Sequence, residues 1–172
     1  MKTYRQRSIP ASLILAIATF AIAYAQQPKQ TNNMPDEQMT QRGDHVMGFD
    51  HLKTTHHFRL LDSGGSIEVT ANSAADVESS QQIRMHLQHI AKMFAEGNFK
   101  APMLIHDQTP PGVPVMQDLK AEINYQYEGI DRGAAVRIST KNPAALKAIH
   151  EFLRFQIKEH KTGDSLDIKQ RS

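Results

Sequence analysis

Cysteine is absent from the 172 residues of this chain. Its absence excludes disulfide bonds, thiolate metal sites and a cysteine nucleophile. Any metal site must therefore use histidine, methionine or carboxylate ligands. The chain contains 9 histidines and 8 methionines, so the first two ligand types are well supplied.

An excess of basic side chains is also lacking once the N-terminal segment is set aside. Residues 1–25 hold Lys2, Arg5 and Arg7 and no acidic residue, so the formal charge falls from +2 for the whole chain to −1 for the remainder. Because no run of lysine or arginine follows, the chain has no electrostatic footprint for nucleic acid. We therefore expect no nucleic-acid partner.

No apolar run reaches the length of about 20 residues that a membrane span needs. The longest, residues 11–23, follows the three basic residues and ends in Ala23-Tyr24-Ala25. A basic start, a short apolar run and small residues at its end predict a secretory signal peptide. We expect Sec-type export with cleavage after Ala25, a periplasmic or secreted location, and no stable membrane span after cleavage. An uncleaved anchor is the alternative.

Shifts in composition divide the chain into four segments. These are a signal peptide at 1–25, a flexible polar linker at 26–50, a single domain at 51–164 and a disordered tail at 165–172. The linker is predicted because it is polar and poor in aliphatic side chains. Methionine and histidine also occur around it at irregular spacing, and both are ligand types for soft copper ions. They are Met34, Met39, Met47, His45 and His51.

The domain shows a repeated pattern of two strands and a helix. Residues 56–71 and 123–139 alternate apolar and polar side chains around turns at 62–65 and 131–133, which predicts two β-hairpins. A helix is expected after each hairpin, at 74–96 and from Asn142-Pro143 onward. The repeat predicts an α+β fold, a two-layer sandwich in which a four-stranded antiparallel sheet carries two helices on one face. Residues 98–114 are expected to form a long loop, followed by a short helix at about 115–121.

Three groups of histidines are candidates for chemistry. His86 and His89 lie three residues apart on the first predicted helix, and Met93 lies on the same flank, so the three share one face. His57 belongs to the first strand and His106 to the long loop. The metal ligands that we predict are His57, His86, His89, His106 and Met93.

A structural interpretation of these residues competes with the functional one. Histidine and methionine commonly lie at the boundary of a core without any ligand. His160, in the last turn of the second helix, suits the helix dipole as a cation. Adjacent residues of a strand face opposite sides of the sheet, so His56 is expected to point inward and His57 outward.

Imidazole and thioether ligands in a cysteine-free exported chain favour copper first and zinc next, with haem the less favoured cofactor. The chain is therefore interpreted as a small soluble binding protein whose partner is a metal ion or a small ligand. The alternative is a non-catalytic interaction module of the cell envelope that binds no metal. A metal-dependent enzyme is the third interpretation, although the motifs G-x-S-x-G, H-E-x-x-H and G-x-G-x-x-G are all absent.

Four stretches of the chain resemble a family of small exported bacterial proteins of unestablished activity. They are residues 48–58, 83–99, 105–120 and 152–164. Members of this family often carry the name aspartate carbamoyltransferase, but that enzyme is a longer cytoplasmic chain with an S-T-x-T-R loop for carbamoyl phosphate. The nearest string here, Ser139-Thr140-Lys141-Asn142, lacks the second threonine and the arginine. The resemblance therefore implies kinship and export, and it assigns no catalytic residue.

Overall fold

The computed structural model describes residues 35–169, which lie within one compact unit. The expected signal peptide at 1–25, the linker residues 26–34 and the tail residues 170–172 lie outside the described residues. None of the helices in the described range is both long and apolar enough to cross a membrane.

Four antiparallel strands form one sheet, as the two predicted hairpins require. Within the first hairpin, Phe58 lies opposite Ile67, and within the second Tyr127 lies opposite Val136. The hairpins meet in the middle of the sheet, where their second strands pair with each other. The strands are β1 (Thr54–Leu61), β2 (Gly64–Ala71), β3 (Ile123–Ile130) and β4 (Gly133–Thr140), in the order β1-β2-β4-β3.

Helices cover one face of this sheet. They are α1 (Pro35–Met47), α2 (Val77–Ala95), α3 (Lys100–His106), α4 (Val113–Asp118) and α5 (Pro143–Glu159), with 3₁₀ turns at His51–Lys53 and Lys120–Glu122. Helix α2 follows the first hairpin but lies mainly over β3 and β4, whereas α5 follows the second hairpin and lies mainly over β1 and β2. Each long helix thus covers the other unit's hairpin, which joins the two ββα units into a single two-layer sandwich. The predicted α+β fold is confirmed.

The core lies between the sheet and the two long helices. Apolar residues three and four apart form a stripe along each helix, as expected for helices that bury one face. The stripe of α2 consists of Ile83, Leu87, Ile90 and Phe94, all buried. The stripe of α5 consists of Ile149, Phe152, Leu153 and Ile157.

The structure differs from the expected flexible linker, because Pro35–Met47 forms the helix α1. This helix packs against α3, and Nε of Arg42 donates a hydrogen bond to the carbonyl oxygen of Ile105 at 2.9 Å. Helix α1 has a polar composition, and tertiary contacts such as this one hold it in place. The amino-acid composition of this segment therefore does not predict helix α1.

The expected loop at 98–114 contains α3, and the following short helix begins at Val113 rather than near 115. Asp107 ends α3 in the left-handed conformation, with φ of 53°. Helix α2 begins at Val77 rather than at 74, because the side chain of Asp76 accepts a hydrogen bond from the backbone N–H of Ser79 at 3.0 Å. Because Asp76 caps the helix, α2 begins three residues later than the sequence predicts.

Part of the expected disordered tail has a defined position. The N–H of Lys169 donates to the carbonyl oxygen of Leu60 at 2.9 Å, and the N–H of Phe58 donates to a carboxylate oxygen of Asp164 at 2.9 Å. Residues 164–169 therefore run beside β1, which is an edge strand. They satisfy backbone groups that an edge strand otherwise leaves open.

Candidate functional site

Two adjoining cavities lie at the end of the sandwich where β1, α1, α3 and the end of α5 meet. The inner cavity has a volume of about 70 Å³ and mostly apolar walls, and the outer one a volume of about 270 Å³. Four residues line both cavities and form the boundary between them. They are Met47, His56, Ile105 and His160.

Histidine is the main polar component of the inner cavity. Its polar lining consists of His56, His86, His106, His160 and Gln156, whereas its other walls come from the core of the sandwich. A concave, mostly apolar site with a few convergent polar groups is typical of ligand-binding sites in proteins. This cavity is therefore the first candidate for function.

The outer cavity adds thioethers to the imidazoles. Met39, Gly43 and Met47 line it, and because they are spaced four residues apart they share one face of α1. His51 lines it from the 3₁₀ turn before β1, with Nδ1 at 3.0 Å from a carboxylate oxygen of Asp44. Its other ring nitrogen makes none of the hydrogen bonds found among the described residues. The outer cavity thus combines two methionines with three histidines.

The secondary structure explains why His56 and His160 meet. His56 lies on β1 with its side chain on the same face as Phe58, as the strand alternation predicts. His160 is the C-cap of α5, the helix that packs on β1. The two imidazole rings are stacked, with centroids 5.6 Å apart and planes inclined by 16°. The ring of His106 stands edge-on to that of His160 at 5.1 Å.

Burial keeps these imidazoles neutral. It lowers the pKa of His56 to about 4, with a further contribution from the neighbouring His86. Burial lowers the pKa of His86 to about 4 as well, and His89 adds to that effect. Burial, then the proximity of His56 and His106, lowers the pKa of His160 to about 3. Neutral imidazole is the form that binds metal ions, so protons do not compete for these rings near neutral pH.

Unpaired polar atoms occur beside the inner cavity. Nε2 of His106 lies 2.9 Å from Oε1 of Gln156. The other ring nitrogen of His106, Nδ1, is buried without a hydrogen-bond partner within the described part of the chain, and so is Nε2 of Gln156. These side chains belong to residues that are only 7% and 4% exposed, respectively. Buried polar atoms without partners are uncommon and call for a functional explanation.

The five residues predicted as metal ligands do not form one group. His57 points to the opposite face of the sheet, where Nδ1 lies 2.9 Å from a carboxylate oxygen of Asp164. His89 is exposed, and Met93 packs against the edge of the core. His86 and His106 do line the inner cavity.

The residues that sequence reasoning did not select as ligands are those that join the two cavities. The expectation that His160 is a cation at the end of α5 differs from the structure, because burial lowers its pKa to about 3 and leaves the ring neutral. The prediction that His56 faces inward is confirmed, since its ring lies beside Phe58 and lines the inner cavity. The spacing of eight between Met39 and Met47 is a little over two helical turns and places both side chains on one helix face, and it is the sequence signal that indicates the outer cavity.

One further group of potential metal ligands lies nearby. Among the described residues, Asp44, Asp50 and His51 are the only set of three or more His, Cys, Asp or Glu whose ligand atoms lie within 4.8 Å of one another. Two of these already have structural roles, because Asp50 caps the 3₁₀ turn and Asp44 accepts a hydrogen bond from the backbone N–H of His51. The set is therefore explained by local folding.

Comparison with known proteins adds no functional information. Neither the protein-family models nor the curated proteins nor the solved structures give a match to this chain. The resemblance stated above stays a prediction, and function has to be inferred from the geometry of the two cavities.

Proposed function

We propose that this chain is an exported binding protein for a soft transition-metal ion, copper(I) first, held in the outer cavity. One observation carries the proposal: a single cavity is lined by two methionines and three histidines in a protein without cysteine. Thioether sulfur and imidazole nitrogen are the soft and borderline ligands that select copper(I) among biological metals. The ligands are drawn from the five histidines and methionines that line the cavity, which are Met39, Met47, His51, His56 and His160.

The arrangement favours copper over zinc. A structural zinc ion takes four tetrahedral nitrogen, oxygen or thiolate ligands. In the described range, the imidazoles of the outer cavity do not form a group of three with mutual distances under 4.8 Å. A site built from them must therefore include the thioethers, which zinc does not prefer. Copper(I) accepts a small number of soft ligands, so one or two histidines with Met47 suffice.

The electrostatic setting supports the binding of an ion near neutral and mildly acidic pH. His56 and His160 have lowered pKa values of about 4 and about 3 because they are buried. A metal ion therefore meets lone pairs at these rings without having to displace protons. Haem remains the less favoured cofactor, because both cavities are small, with volumes of about 70 and 270 Å³.

The proposal is tested by titrating the purified protein with copper(I) under anaerobic conditions against a chromogenic chelator. We expect about one copper(I) per chain, with both sulfur and nitrogen scatterers in its X-ray absorption spectrum. The variant Met47→Leu keeps the volume of the side chain but removes the thioether, and it should bind copper about tenfold more weakly or worse.

A matched control separates this site from general histidine chemistry. His89→Ala removes an exposed imidazole that lies outside the outer cavity, so copper affinity should stay unchanged. Less than about a tenth of an equivalent of bound copper would refute the proposal. The same holds if the double variant Met39→Leu, Met47→Leu binds copper as tightly as the wild type does.

A further inference from the structure

The hydrogen bond between His106 and Gln156 determines which ring nitrogen of His106 carries the proton and which one has a free lone pair. The partner of Nε2 is an amide oxygen at 2.9 Å, which only accepts hydrogen bonds, so Nε2 carries the proton. A neutral ring with a proton on Nε2 has a bare lone pair on Nδ1. That lone pair is buried and has no partner among the residues described here.

This arrangement is the one found behind metal-binding histidines. Such a histidine donates its second ring N–H to an oxygen acceptor, which fixes the tautomer and the orientation of the ring. Here the acceptor is Gln156 on α5, and the ring it orients belongs to the last residue of α3. The ring of His106 also stands 5.1 Å from that of His160, edge to face, at the boundary of the outer cavity.

The size of the inner cavity restricts what can occupy it. Its volume of about 70 Å³ is well below the roughly 150 Å³ of an engineered cavity that binds benzene. An organic ligand of ordinary size is therefore excluded, whereas an ion or one or two water molecules can be accommodated. Glu159 and Arg42 are the charged groups whose fields reach His106, with opposite effects. The charges of Glu159 and Arg42 therefore do not combine into a positive potential that would repel a monovalent cation from the inner cavity.

We propose that Nδ1 of His106 is the inner ligand of the metal site, with His160 as the shared ligand, and that Gln156 is its positioning residue. This inference rests on the proposed function, since it extends the same site from the outer to the inner cavity. Copper(I) is stable with two imidazole ligands, because a small number of nitrogen or sulfur ligands satisfies a monovalent soft ion. His106 lines the inner cavity whereas His160 and Met47 line both, so an ion coordinated by these three side chains would lie at the boundary between the cavities.

The wild-type protein itself provides the first test. Copper(I) is diamagnetic, so the ring nitrogens of each histidine can be followed by ¹⁵N NMR during a titration. In the metal-free protein, His106 should show a protonated Nε2 and a bare Nδ1. Addition of one equivalent of copper(I) should shift the Nδ1 resonance and leave Nε2 protonated. If copper is bound and this resonance does not move, His106 is not a ligand and the inference is overturned.

Variants at position 156 test the positioning role. Gln156→Leu removes the acceptor and should weaken copper binding by about tenfold, as loss of an outer-shell partner does. Gln156→Glu restores an acceptor for the Nε2 proton, so it should bind copper at least as tightly as the wild type. Equal affinity for Leu and Glu at this position would contradict the positioning role.

The two proposals fail in different ways. If the wild type binds no copper, the proposed function is wrong and this inference falls with it. If the wild type binds copper and His106→Phe binds it equally well, only the inference is wrong, and the inner cavity holds water. His106→Phe should retain a cooperative thermal transition, because the neighbouring Phe155 already packs edge-on against this ring at 4.9 Å. The NMR titration of the wild type decides the matter even if that variant does not fold.

Discussion

The imidazole rings of His56 and His160 lie stacked with centroids 5.6 Å apart, on the wall that separates the inner from the outer cavity. Phe58 packs against His160 at 5.4 Å, so the pair sits in an aromatic setting. None of the hydrogen bonds between described residues uses either ring. Both rings are neutral, partly buried and flanked by aromatic and apolar side chains, so each is less favourable for folding than a phenyl ring would be at the same position.

Replacing one of these rings should reveal that cost. His160→Phe keeps the aromatic packing against His56 and Phe58 but removes two ring nitrogens from an apolar wall. We expect the metal-free variant to be more stable than the wild type by about 1 kcal/mol at pH 7. Urea unfolding of both proteins with equal m-values measures the difference. A loss of stability of similar size would mean that the imidazole makes a stabilising hydrogen bond, and would contradict this account.

Copper binding by the same variant should change in the opposite direction. His160 is shared by both cavities, so its loss removes a ligand from either position of the ion. A variant that gains stability while it loses metal affinity would separate function from folding at this residue. Proteins commonly keep such costly groups only where activity needs them.

Acid should destabilise the metal-free protein while its carboxylates are still ionised. The pKa values of His56, His86 and His160 are about 4, about 4 and about 3 in the folded state, below the ordinary value of 6.5. At pH values between 6.5 and these lowered pKa values, the histidines are protonated in the unfolded chain but not in the folded chain. The free energy of unfolding therefore decreases as the pH falls from about 6.5. The loss should reach about 1.4 kcal/mol per pH unit for each such histidine.

Urea unfolding at a series of pH values from 7 to 4.5 measures this slope. The variant His160→Phe supplies the control, because its slope should be smaller by the contribution of one proton. Glu68 and Asp164 also have lowered pKa values, but their protonation reduces stability only near and below the ordinary carboxylate range. A flat profile between pH 6.5 and 5 would show that these histidines are not buried in solution.

Most of the fold could be predicted because it is recorded in local patterns. The alternation around residues 62–65 and 131–133 specified both hairpins, and the stripe from Ile83 to Phe94 specified α2. Helix α1 could not be predicted in this way, since its stability comes from contacts such as that of Arg42 with the carbonyl oxygen of Ile105. When tertiary contacts stabilise a polar helix, the sequence need not show the regular apolar spacing by which an amphipathic helix is predicted.

The candidate site could be predicted only in part, for a related reason. The predicted ligands His86 and His106 line the inner cavity, but the partners that complete the cavities come from distant positions. His56 and His160 are separated by more than a hundred residues and meet because α5 packs on β1. A local spacing rule finds pairs such as His86 and His89, and the second of these is exposed.

The outer face of the sheet is held by a charge network that can be tested independently of the cavities. Glu68, on β2, accepts hydrogen bonds from Nη1 of Arg137 at 2.7 Å and from Nε of Arg59 at 3.3 Å. Its side chain is only 16% exposed. Although partial burial opposes the effect, the two arginines lower the pKa of Glu68. Glu68→Gln should therefore cost about 1–2 kcal/mol at pH 7, because it removes the anion that pairs with Arg59 and one of the two anions that pair with Arg137.

The effect of Glu68→Gln should diminish in acid, since the wild-type carboxylate is then protonated as well. Glu128 is the matched control, because it pairs with Arg137 alone and is 48% exposed. Glu128→Gln should cost less than about 1 kcal/mol. Equal costs for the two variants would contradict the central position of Glu68.

The segment after α5 should contribute to the metal site through Asp164. One carboxylate oxygen of Asp164 accepts hydrogen bonds from the N–H of Phe58 at 2.9 Å and from the hydroxyl of Thr162 at 2.7 Å, and the other lies 2.9 Å from His57. Partial burial opposes the effect, but these bonds lower the pKa of Asp164. Thr162 lines the outer cavity and follows His160 by two residues. Asp164 thus fixes the chain just beyond a proposed ligand.

Asp164→Asn replaces one acceptor oxygen by an NH₂ group, which must face either the N–H of Phe58 or the ring of His57. We expect a loss of about 1–2 kcal/mol in stability and faster hydrogen exchange at the N–H of Phe58. Copper affinity should fall severalfold, because His160 becomes less firmly positioned. Asp167→Asn provides the control, since Asp167 is exposed and its side chain makes none of the hydrogen bonds among described residues. If both variants lose copper affinity equally, the effect arises from charge at this end of the molecule and not from the anchoring of α5 to β1.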